Sequence, residues 1–334
     1  MKHKPIRPRL WTKDFSCITV ATVLSAIGGE AMNLPISLLV FDQTQSTLLS
    51  ALILVCGMLP DMILPILVAP LIDKGGKKKW IVGLDVLLAT VYAAMGIWIT
   101  GHAFSYGLYV GFTLVVGTIS VFYRLAFDAW YPSLIPVGAE QRGYSVSATL
   151  YPLVTILMAP VATFLYSHVP MGTLFLVVSG LTVLSCLVEG CIREVRKAAE
   201  EAYTFRQYRS DIREGFAFLK REKGIRNIYT YMSITQGASS GVEVLTQAYY
   251  QTQPWLTVTM LGFLKSAEML GRVLSGLLQY IREVPVRKRY AFTKFVYTFY
   301  DTMDAALLWM PFPLMLVNRF LCGGLGCASA TIRE

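Results

Sequence analysis

Ten apolar stretches set the limits on what this chain can fold into: 14–41, 48–72, 80–100, 104–123, 144–167, 171–192, 227–249, 256–281, 290–310 and 313–332. Each has about the 20 residues that a bilayer-crossing helix needs. The basic residues are placed to match. Of the 30 Lys and Arg residues, all but Lys265, Arg272 and Arg319 sit at the chain ends or in and beside every second connection. The intervening connections, at 42–47, 101–103, 168–170, 250–255 and 311–312, hold none. Such alternation keeps basic loops on the cytoplasmic side, and it predicts a multi-pass protein of the cell membrane with both termini cytoplasmic. The net charge of +9 is therefore a topology signal, and a nucleic-acid partner is not expected. Charged residues make up 15% of the chain, against about 25% in soluble domains.

The first stretch is too long for a cleaved leader and has no small-residue cleavage site, so it reads as a retained span. The six cysteines (Cys17, Cys56, Cys186, Cys191, Cys322 and Cys327) all fall inside apolar stretches, with no C-x-x-C pair. They read as small packing residues, not as metal ligands or a disulfide framework.

The chain repeats itself. Phe41-Asp-Gln-Thr-Gln-Ser46 closes the first stretch and Tyr249-Tyr-Gln-Thr-Gln-Pro254 closes the seventh, an offset of 208. Gly117, Ser120 and Arg124 match Gly326, Ser329 and Arg333 at an offset of 209. Both matches keep direction and membrane side, as expected of two parallel halves related by an axis along the membrane normal. The first half continues through two more stretches after Arg124, so the repeat predicts two further spans after Arg333. The expected domains are a six-helix bundle at 1–192, a cytoplasmic linker at 193–226 and an incomplete bundle of about four helices at 227–334. In the linker, Phe205, Tyr208, Ile212, Phe216 and Leu219 recur at spacings of three and four, an amphipathic helix lying near the membrane surface.

Between the second and third stretches stands Ala69-Pro-Leu-Ile-Asp-Lys-Gly-Gly-Lys-Lys-Lys79. It resembles the G-x-L-x-D-R-x-G-R-K loop signature of the major facilitator superfamily. Asp73, Lys74, Gly76, Lys77 and Lys78 stand at its acidic, basic, glycine and two basic positions, and Ala69 replaces its first glycine. A glycine turn reverses the chain there, and the basic run suits anionic headgroups. Thr44-Gln-Ser46 with Pro60, Tyr131-Pro-Ser-Leu-Ile-Pro136 and Arg213-Glu-Gly-Phe-Ala-Phe-Leu219 resemble the branch holding the enterobactin exporter and macrolide-efflux-type proteins. Ala159, Pro160 and Ala162 in Ala159-Pro-Val-Ala162 resemble the glycine-proline antiporter motif of exporters, with the glycines replaced. The resemblance implies an all-α polytopic fold and alternating access around a midplane site. It also implies a gating role for the loop signature, where Asp73 would meet an eleventh span.

Charges inside apolar stretches cost about 2.5–3.5 kcal/mol on insertion scales, so each needs a reason. Glu30, Asp61, Glu243, Lys265, Glu268 and Arg319 lie on spans that line the cavity in the resembled fold, and Arg272 shares a helix face with Lys265 and Glu268. These groups either neutralise one another, as Glu268 and Arg272 can along one helix, or carry protons and contact substrate. No unpaired base is evident in the first half, which makes Glu30 and Asp61 the preferred proton carriers. The expected function is proton-coupled efflux of small amphipathic molecules by a monomer, with no cofactor and no metal. The alternative is a transport-incompetent binding or sensory remnant of such a transporter. An enzyme is not expected. Asp301 and Asp304 form a lone D-x-x-D pair with no second acidic cluster. No H-E-x-x-H and no G-x-x-x-x-G-K-[ST] occurs, and His3, His102 and His168 have no partner at ligand spacing.

Overall fold

The computed structural model describes residues 9–74, 76–193, 204–227, 229–231, 233–234, 237, 258–281 and 285–333. Their regular structure is helical: α1 (Lys13–Thr44), α2 (Thr47–Lys74), α3 (Lys77–Gly101), α4 (Tyr106–Leu134), α5 (Glu140–His168), α6 (Met171–Gly190), α7 (Phe205–Arg221), α8 (Val258–Ile281), α9 (Val286–Ala306), a 3-10 turn at Leu307–Trp309, and α10 (Phe312–Arg333). Among the described residues, the helices α1 to α6 are long and apolar enough to cross a membrane, and α10 carries a shorter apolar run, Phe312–Ala328. Most of the predicted stretch at 227–249 lies outside the described residues, as does Glu243.

Local signals explain the joints. Thr12 caps α1 by accepting from the Phe15 amide at 3.2 Å. Gln45 ends α1 in the left-handed conformation (φ 51°), its amide donating to the Phe41 carbonyl. Ser46 then caps α2 by accepting from the Leu49 amide at 3.3 Å. The Gln-Thr-Gln segment found by the repeat is thus a stop followed by a start.

Residue contacts divide the chain into two compact units, Met1–Gly138 with Leu157–Gly215, and Ala139–Ile156 with Phe216–Glu334. In the first, α3 packs most extensively on α6 and α2 on α4, while α1 rests on α6. Aromatic edges seal the interior: Tyr92, Phe112 and Phe175, from α3, α4 and α6, have ring centroids 5.2–6.1 Å apart. Only 17% of the apolar window of α2 is buried by protein, and Met58, Met62, Ile63 and Ile66 project outward. Surface of that kind is stable against lipid, not water.

Two crossings in this unit are made by glycine. A methyl group added at Gly117 of α4 would fall inside the Gly57 carbonyl of α2. One added at Gly96 of α3 would stand 3.0 Å from the Gly172 carbonyl of α6. In the second unit α8 packs chiefly on α10, again through glycine: added methyls at Gly271 and Gly323 would overlap the Phe320 and Glu268 carbonyls. α3 begins at Lys77 and α9 at Val286, the offset of 209 given by the repeat. The pair α8–α10 thus corresponds to the pair α2–α4.

The loop signature is spent on helix ends. Asp73 is exposed near the end of α2, Lys74 is its last residue, Gly76 is the N-cap of α3, and Lys77 and Lys78 form its first turn. Basic residues oppose the dipole at a helix start, but Lys78 reaches across to a helix end. Its Nζ donates to the carbonyls of Gly190 and Ile192, each at 2.8 Å, occupying acceptors that the end of α6 leaves open. Lys78→Met should lower the thermal midpoint in detergent by about 1–2 °C, the effect of about 1 kcal/mol in a chain of 334 residues. Faster amide exchange confined to the end of α6 is the accompanying signature, and an unchanged midpoint and exchange pattern would refute the clamp.

Candidate functional site

In the first unit α2 and α4 share an accessible ion pair. Arg124 Nη1 donates to Asp61 Oδ2 at 2.8 Å, and Nη2 donates to Oδ1 at 2.5 Å. This two-pronged geometry is the strongest that a guanidinium makes with a carboxylate. The side chains are 50% and 41% exposed, so the pair lies open on its helices and not in the core. Asp128 stands one turn beyond Arg124, within the field of the same guanidinium. The guanidinium is thus forked by one acid, Asp61, with a second, Asp128, within reach of its field.

Its geometry follows from the glycine crossing. Gly57 precedes Asp61 by one turn of α2, and Gly117 precedes Arg124 by two turns of α4, so each glycine shares a helix face with its charge. The crossing fixes the distance that the guanidinium must span.

Sequence reasoning left Asp61 without a base because it ended the fourth span at residue 123 and assigned Arg124 to a connection. The structure corrects this. α4 runs on to Leu134, Arg124 is an interior helical residue, and its charge is answered by Asp61. Asp128 was missed for the same reason.

Glu30 is half-buried in α1. In the second unit, Arg272 Nη2 donates to Glu268 Oε1 at 2.8 Å, the pairing expected one turn apart on α8. Lys265 is exposed on α8, and Arg319 is buried on α10. Pro160 is exposed on α5 beside Ala159, and Ala162 is buried with 1% exposure. Asp42, near the end of α1, accepts from the Tyr166 hydroxyl of α5 and ties those two helix ends together.

Sequence reasoning also passed over a buried acid on each of two other helices, Asp85 of α3 and Glu189 of α6. The Tyr123 hydroxyl of α4 donates to Glu189 Oε1 at 2.6 Å. The signal was present, since each is a lone carboxyl inside an apolar run and the cost that singled out Glu30 applies to both.

Long apolar helices that keep ion pairs within them define a multi-pass α-helical membrane protein. The model of the Major Facilitator Superfamily matches residues 18–332, and the chain belongs to that family, whose members are transporters and not enzymes. It is 23% identical over 278 residues to Macrolide efflux protein A of Streptococcus pyogenes, covering 80% of this chain and 67% of that protein. The same figures hold for the protein of that name from the serotype M6 strain. In fold it resembles a variant of the E. coli fucose:proton symporter, with a TM-score of 0.70, 14% identity, and coverage of 97% of this chain and 83% of that one. A second structure of that transporter, in the outward conformation, gives a TM-score of 0.69 at 13% identity, covering 95% and 82%.

Proposed function

We propose that this protein is a secondary transporter that expels small amphipathic molecules in exchange for protons by alternating access. The observation that carries the export direction is the 278-residue likeness to a macrolide efflux protein. The Asp61–Arg124–Asp128 cluster supports an exchange of charge, because a base shared by two acids can be released from one while it holds the other. Glu30 and Asp61 are the proton-carrying candidates, and Glu243, Lys265, Glu268, Arg272 and Arg319 the contributions of the second half to the substrate path. Asp73, Lys74, Gly76, Lys77 and Lys78 form the gating loop, and Ala159, Pro160 and Ala162 the antiporter-like turn of α5. In this reading the bundles are 1–192 and 227–334, joined by a linker at 193–226. The protein works as a monomer in the cell membrane with both termini cytoplasmic.

The test is uptake by proteoliposomes. With an acidic lumen, a macrolide and an amphipathic dye should accumulate inside, and a protonophore should abolish the accumulation. Failure of both probes to accumulate under pH gradients of either direction would sink the proposal.

A further inference from the structure

The acids on α3 and α6 have no part in the accessible cluster, and their geometry calls for a ligand. Asp85 is 2% exposed and Glu189 is fully buried. Their carboxyls lie within hydrogen-bonding reach of each other, with the Ser185 hydroxyl beside Asp85. Asp85 Oδ2 and Glu189 Oε2 are buried oxygens with no hydrogen-bond partner among the described residues. Among the described residues no cation pairs with either acid, and the Lys78 ammonium, which keeps its charge, is held by carbonyls at the end of α6 and not by the carboxyls. Tyr123 of α4 donates one neutral hydrogen bond, and Cys186 of α6 has its thiol directed to the Val82 carbonyl. Asp14 of α1 accepts from the Arg193 amide, and Arg124 of α4 is engaged with Asp61.

Two buried carboxylates in contact repel, and each orphaned oxygen adds a desolvation cost. One proton held between them removes a charge and supplies the missing donor, as in other carboxyl pairs that share a site. We propose that Asp85 and Glu189 form a proton-binding site within the first unit, and that this site, in series with the candidates Glu30 and Asp61, carries the proton exchanged for substrate. The coupling half of the proposal rests on the exporter reading above; the binding half does not. The proton passes from water to a carboxylate oxygen and back, and no other bond changes. Consecutive residues of α4 connect the site to the accessible cluster: Tyr123 holds Glu189, and Arg124 holds Asp61.

The experiment uses the full chain and two readouts. Infrared difference spectra of the wild type between neutral and alkaline pH should show a protonated-carboxyl band. The near-isosteric double variant Asp85→Asn/Glu189→Gln should lose it, and Tyr123→Phe, which removes only the hydrogen bond, should shift it. In proteoliposomes the double variant should still exchange dye down the dye's own gradient but lose accumulation driven by an acidic lumen. Dye exchange also shows that the double variant is folded, and Tyr123→Phe is a milder second probe. A wild type without the band, or a band unaltered in both variants, overturns the site. Proton-driven accumulation that survives in the double variant overturns its coupling role and leaves the exporter reading intact. A wild type that retains the band but shows no proton-driven accumulation overturns the exporter reading and the coupling role with it.

Discussion

Gly117→Leu should leave little folded protein in the membrane, the largest structural effect expected of one substitution in the first unit. Even a methyl group at this position overlaps the Gly57 carbonyl. The obstacle is main chain, which has no rotamer to retreat into. Ordinary overpacking costs about 1–3 kcal/mol when flexible side chains can shift. Here α2 and α4 must separate along their length, so the cost should exceed about 3 kcal/mol, a large part of the 5–15 kcal/mol that typically holds a domain together. Gly111 of the same helix is the control, because an added methyl there meets nothing within 4 Å. Gly111→Ala should be neutral or should gain up to about 1 kcal/mol from helix propensity. Yield and thermal midpoint in detergent read both variants. A Gly117→Leu protein that melts like the wild type would mean that the helices do not touch there.

Arg124→Gln should lower proton-driven transport at least about tenfold while the protein still folds. The variant keeps length and polarity but removes the charge that Asp61 and Asp128 share. A charge-assisted hydrogen bond contributes about 1.5–3 kcal/mol, and about 1.4 kcal/mol is a factor of ten. Because both partners are about half exposed, solvent screening discounts the loss of stability. Any effect on mechanism is then separable from an effect on folding. Arg124→Lys should recover part of the rate, since an ammonium supplies the charge but not the two-pronged fork. If Asp61→Asn/Arg124→Gln were to transport as well as the wild type, the pair would be a neutralised remnant without a role. The double variant should instead remain as slow as Arg124→Gln.

The membrane class and the first six spans were legible in the sequence because apolar length and basic alternation are local properties. The third span was placed at 80–100 and α3 covers Lys77–Gly101. The fourth was cut at residue 123 while α4 reaches Leu134, for an instructive reason. A charge ends a hydropathy run but does not end a helix, whose backbone hydrogen bonds are indifferent to side-chain polarity. What answers the charge inside the helix is Asp61, a residue 63 positions away in sequence. The pair of Asp85 and Glu189 was hidden in the same way. Spacing rules find partners one turn apart, such as Glu268 and Arg272, whereas these acids meet only because α3 packs along α6. The glycine crossings were hidden too, since each brings together glycines from two helices far apart in sequence.

The crossing at Gly57 and Gly117 acts as a gauge block for the ion pair beyond it. Helices held apart by side chains can drift as those side chains repack, and a salt bridge between them tolerates partners of several lengths. Carbonyl against α-carbon leaves no such slack. The separation at Asp61 and Arg124 is a machined clearance, one or two turns from the stop that sets it. An Asp61→Glu change is therefore not conservative here: the extra methylene meets a fixed span, and the fork must tilt or release one prong. The half-exposed pair, free in appearance, is held to size by a contact whose nearest approach is main chain.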